Sequence, residues 1–113
     1  MQTIVKARVV SGDSLSFVAR EGSQSGKAEI AWAIPAGDGA PLLAGIGRCH
    51  ELRAPAKRLD YDEIILVRSG ELRLTLDDGS CLTAFAGDVV ELRRGSTVSY
   101  DGTDAEFWFV VTA

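Results

Sequence analysis

The chain has 113 residues, 46% of them hydrophobic and 25% charged, with a net charge of −4. That length fits one domain, residues 1–113, with enough core to fold without metal or disulfide staples. Acidic and basic residues are interspersed, with no basic stripe among aromatics to suit nucleic acid and no apolar run approaching the roughly 18 residues of a membrane helix.

The N-terminal run MQTIVKARVV is interrupted by Lys6 and Arg8, so it lacks the apolar stretch of a signal peptide. The spacing predicts a strand over residues 4–10, then a turn at Ser11-Gly12-Asp13 and a strand over 15–19. Residues 21–27, EGSQSGK, read as a polar loop, and 28–34 as a strand ended by Pro35. A longer strand follows over 42–52, bent at Gly45 or Gly47. Two apolar runs then meet at Ser69-Gly70, which predicts a β-hairpin turning there. Further strands are predicted over 80–85, 88–92, 97–100 and 106–112. No window carries a sustained 3.6-residue apolar period with caps, so the pattern indicates an all-β sandwich or barrel. Residues 64–67 and 107–111 are apolar on both parities, which predicts that both sheet faces are covered, the outer one by a second layer or by a partner in a homodimer. Cys49 and Cys81 form no C-x-x-C motif, which points to free thiols and a cytoplasmic location.

Tyr61, Asp62 and Glu63 precede the strand that begins at Ile64. Alternation puts Tyr61 and Glu63 on one face and Asp62, with Asp60, on the other. A buried carboxylate is costly unless it is paired, hydrogen-bonded, protonated or metal-bound, so an inward Glu63 marks a site. His50, the only histidine, shares its parity with Arg48 in a strand that can neighbour Glu63. The predicted cluster is Glu63, His50 and Tyr61 as catalytic groups, with Arg48, Lys57, Tyr100 and Trp108 as ligand contacts. In it Arg48 would hold a carboxylate bidentately, while His50 and Glu63 move a proton. The competing assignment is structural, with Glu63 tied to Arg48, Lys57 or Arg73 and His50 on the surface.

Two motifs resemble those of the cupin superfamily. Glu63 followed after six residues by Gly70 matches the end of G-x5-H-x-H-x3/4-E-x6-G, and the run from Gly87 to Gly95 resembles the start of G-x5-P-x-G-x2-H-x3-N. More narrowly, LDYDE, a strand ending in GEL, and AGDVVELRRGSTVSY are similar to the cupin domain of the EutQ ethanolamine-utilisation family over residues 42–113. The resemblance implies a double-stranded β-helix, or jelly-roll barrel, often dimeric, with its site inside the mouth. The cupin metal-ligand histidines would fall at Lys57 and Leu59, or at Ala56 and Arg58, and at Val98, so only Glu63 of the usual set is present. EutQ-like cupins lack those histidines too, so the resemblance implies no cofactor and no metal of the usual kind.

The leading expectation is thus a metal-independent pocket for a small polar metabolite. Any turnover would be isomerase- or lyase-type proton transfer, as in metal-free sugar epimerases of related barrels. The alternatives are a non-catalytic ligand-sensing or accessory dimer, and a metal-dependent enzyme with an atypical ligand set such as His50, Glu63 and one of Asp60, Tyr61 or Tyr100. Acetate kinase activity has been attributed to EutQ, but the phosphate loop G-x4-G-K-[S/T] is absent from this sequence.

Overall fold

The computed structural model describes residues 6–19, 25–37 and 39–113. The start of the first predicted run, most of the predicted loop at 21–27 and Asp38 lie outside them. Among the described residues a single 3-10 turn, Gly12–Ser14, precedes eight strands: β1 (Val18–Ala19), β2 (Ser25–Ile34), β3 (Leu42–Arg53), β4 (Lys57–Arg58), β5 (Glu63–Leu76), β6 (Cys81–Phe85), β7 (Val89–Leu92) and β8 (Thr97–Thr112). All pairings are antiparallel, in the order β1-β2-β3-β8-β5-β6, with β4 added to β8 and β7 to β5. Because β5 pairs with β7 along its first half and β6 along its second, the sheet curls round on itself as the expected jelly-roll barrel. The described residues before Gly12 form no strand, which differs from the run predicted at 4–10.

The predicted hairpin at Ser69-Gly70 is instead a bulge inside one long strand. Gly70 has φ +75°, and the β5–β8 register shifts on both sides of Ser69. The bulge reverses the pleat, because side chains alternate and one extra residue changes which parity faces inward. Glu63, Ile65 and Val67 point into the core before it, and Leu72 and Leu74 after it. Strand β8 reverses at the same level, from inward Val98 and Gly102 to inward Ala105, Phe109 and Val111, with Asp104 at φ +44°. Glu51 of β3, at φ +48°, lies in line with them. Three adjacent strands therefore share one crease, and the two predicted segments at 97–100 and 106–112 form a single bent strand across it.

In β3 the left-handed backbone falls at Glu51 and not at Gly45 or Gly47. Those two glycines have another use. A Cβ on Gly45 would stand 2.8 Å from Cζ of Phe109, and one on Gly47 would collide with the Phe107 ring. Their bare backbone lets two aromatic rings approach β3 closely. Around them the core collects Leu59, Ile65, Val67, Leu72, Leu74 and Val98, all almost fully buried.

Candidate functional site

The barrel encloses a cavity of about 560 Å³. Its walls are largely apolar, with Trp32, Phe107 and Phe109 forming one side. Trp32 stands edge-on to Phe109 at 5.2 Å between centroids, a favourable aromatic arrangement. A few polar side chains interrupt this lining, the usual make-up of a small-molecule site.

Glu63 is the deepest of them, the one buried charged residue among those described, with 8% of its surface exposed. It sits at the start of β5 on the inward parity set by Ile65 and Val67. Tyr100 of β8 faces it and donates its phenol to Oε1 at 2.8 Å. A hydrogen bond to a carboxylate is about twice as strong as one between neutral groups, which offsets part of the cost of burying Glu63. Nearer solvent, Tyr61 also lines the cavity and accepts from Lys57 Nζ at 3.0 Å, the same ammonium lying 5.1 Å from its ring centroid. Two phenol-centred pairs thus sit in one apolar chamber, one acidic and one cationic.

The other sequence-predicted residues are placed as follows. Arg48 borders the cavity, but its guanidinium turns to Glu29 at 3.1 Å and covers the Phe17 ring at 3.6 Å. His50 lies away from Glu63, on the exposed outer side of β3, and pairs with Asp104 across the crease. The hydrogen bond and charge of Asp104 raise the His50 pKa above its ordinary value. Trp108 also departs from expectation: its neighbours Phe107 and Phe109 hold the inward parity, so its ring faces out, 5.9 Å from the Arg68 guanidinium. The reason is that residues 107–111 are apolar on both parities, which left the inward set undetermined until the pleat reversal was known. Asp62 points away from Glu63, as alternation predicted, and accepts from the Arg94 amide at 2.9 Å. Cys49, passed over in the sequence, lines the cavity, and burial pushes its thiol pKa up. The sequence carried no signal for it, because its facing follows only once Arg48 and His50 are seen to turn outward.

The residues at the cupin ligand positions do not fit a metal. Leu59 and Val98 are core side chains, and Lys57 is engaged with Tyr61. Among the described residues, no three of His, Cys, Asp and Glu converge as a ligand set. Nor, among them, is any helix long and apolar enough to cross a membrane.

A family model described as ethanolamine utilisation protein EutQ matches residues 20–113. The chain is 29% identical over 106 residues to the acetate kinase EutQ of Escherichia coli, covering 94% of this chain and 44% of that protein. It thus spans under half the length of the curated relatives it matches. Among solved structures, a putative ethanolamine utilization protein Q from Salmonella typhimurium superposes with a TM-score of 0.79 at 26% identity, over 92% of this chain and 83% of that one. A cupin domain from Schizosaccharomyces pombe, at 14% identity and a TM-score of 0.67 over 91% and 72% of the two chains, shares the fold.

Proposed function

The chain belongs to the EutQ family, and from that premise we propose that its barrel is a metal-independent, cytoplasmic binding pocket for a small polar metabolite of ethanolamine utilisation. The carrying observation is the Glu63–Tyr100 pair, a buried carboxylate held by a phenol inside an aromatic chamber. Glu63 orients the ligand through its donors, Lys57 and Tyr61 meet its polar end nearer solvent, and Trp32, Phe107 and Phe109 take its apolar surface. Should the ligand be turned over, this reading gives Glu63 the task of taking up a proton.

The test is thermal unfolding of tag-free protein with a panel of small carboxylates and amino alcohols, ethanolamine and acetate included. A ligand at 100 times its Kd stabilises by about 2.7 kcal/mol. Glu63→Gln is expected to abolish the shift while its circular dichroism matches that of the parent. A panel without effect, together with an unchanged Glu63→Gln, would overturn the reading. Elemental analysis of protein purified without chelator checks the metal-independent part, which a stoichiometric transition metal would sink.

The second reading is phosphoryl transfer, favoured by the 29% identity to two proteins named acetate kinase. ATP-dependent formation of acetyl phosphate by this chain would establish it.

A further inference from the structure

Two charges of opposite sign border the cavity at different depths. Glu63 lies at the inner end, buried, with Tyr100 donating to its Oε1. Lys57 belongs to the rim. It pairs across β4 and β8 with Val98, a core residue, so its stem enters on the inward face while its ammonium stays exposed. Tyr100, two positions along β8 from Val98, is one same-face step away, about 6.8 Å. Arg48 and Glu29 also line the cavity, but they cancel in their own ion pair. Lys57 borders a second groove as well, where Arg58 and Arg94 join it against the single carboxylate of Asp60. The rim is therefore cationic in a chain of net charge −4, and the interior is acidic.

Between these poles the wall is aromatic. Trp32 stands at 87° to Phe109 and Phe107 at 55° to it, so the three rings meet at angles and do not form a flat stack. Aromatic faces attract ammonium groups, and this lining already holds one, since Lys57 Nζ rests 5.1 Å from the Tyr61 centroid. An ammonium taken into apolar surroundings also needs a carboxylate. Glu63 supplies it, because a carboxylate accepts up to about four hydrogen bonds and Tyr100 makes one of them. We infer that the cavity takes a zwitterion, a primary amine joined by a short carbon chain to an oxyanion. Its ammonium goes inward to Glu63 among Trp32, Phe107 and Phe109, and its oxyanion stays outward at Lys57. The inference rests on the pocket reading above and fixes the charge and direction of that ligand. A simple carboxylate would pair with Lys57 but set an alkyl end against Glu63. A simple amine would pair with Glu63 but bring nothing to Lys57. A zwitterion bound the other way round would face like charges at both ends.

Isothermal titration calorimetry with isosteric probes tests it. The zwitterions are 4-aminobutyrate and 3-aminopropylphosphonate, whose comparison tells a carboxylate from a phosphate-like oxyanion. The controls are pentanoate, with a methyl in place of the ammonium, and 4-aminobutanamide, with an amide in place of the carboxylate. The better zwitterion is expected to bind about tenfold or more tightly than either control. Lys57→Met keeps the apolar stem and changes only an exposed rim position, so it leaves the core intact. It should erase the preference over 4-aminobutanamide and keep the preference over pentanoate. Glu63→Gln, with its circular dichroism checked against the parent, should do the reverse. A control that binds as tightly as the zwitterions, or preferences that neither variant moves, would overturn the proposal and leave the pocket reading standing, because a ligand still binds. Silence from all four probes would overturn it too, and the pocket reading would fall with it only if the thermal-unfolding panel were silent as well.

Discussion

Replacing Tyr100 by Phe removes one oxygen and leaves the ring in place, so it isolates the bond to Glu63. That bond is 2.8 Å long and its acceptor is nearly buried, so water cannot fully replace the lost donor. Hydrogen bonds to charged groups contribute about 1.5–3 kcal/mol net. Unfolding entropy near 2.1 cal/mol/K per residue gives about 0.24 kcal/mol/K for this chain, so the variant is expected to melt about 6–13 °C lower. Tyr61→Phe is the comparison. Its hydroxyl meets an exposed Lys57, and its loss should cost under about 0.5 kcal/mol, or about 2 °C. Differential scanning calorimetry at neutral pH reads both. If Tyr100→Phe melts within about 2 °C of the parent, the Glu63–Tyr100 bond is not holding the carboxylate, and the site needs another organiser.

Proton NMR of the single imidazole should show the His50 pKa above its ordinary 6.5, and Asp104→Asn should bring it back. Because the folded value is the higher one, the pair's stabilisation is complete below about pH 6.5 and disappears as the pH rises through the folded pKa. Gly70→Ala combines a left-handed backbone, costing about 1–2 kcal/mol, with a Cβ driven into the Asp104 backbone, and should lose about 3 kcal/mol or more in urea unfolding. Gly79→Ala, at φ +87° with open space around it, should lose only the first part. A thiol reagent such as DTNB should modify exposed Cys81 promptly and Cys49 only at the rate at which the native state opens, because Cys49 is buried and its thiol pKa is raised.

The barrel was legible in the sequence because its turns carry Gly at Gly79, Gly87 and Gly95, all with positive φ, and because strands between them alternate. Glu63 was legible for the same reason: one inward parity runs from Glu63 through Ile65 and Val67. The crease was not, although its mark is there. Inward Leu72 follows inward Val67 by five positions, an odd interval that a regular strand cannot carry. Reading Ser69-Gly70 as a hairpin turn left the reversal unseen, and with it the facing of Trp108. His50 was misplaced for a different cause. Its parity fitted a cluster with Arg48, but nothing in the sequence shows which side of β3 is the wall of the cavity, and Asp104, its partner, lies 54 residues away.

The pleat reversal also limits how a chain of this kind can change length. Inserting or deleting one residue between Val67 and Leu72 would turn half of β5 inside out. Either Glu63 would move to the surface, or Leu72 and Leu74 would, and the matching reversal at Asp104 would lose its counterpart. The turns at Gly79, Gly87 and Gly95 carry no such coupling, since space around each is open. Insertions are therefore tolerated at the ends of this barrel and barred from its waist.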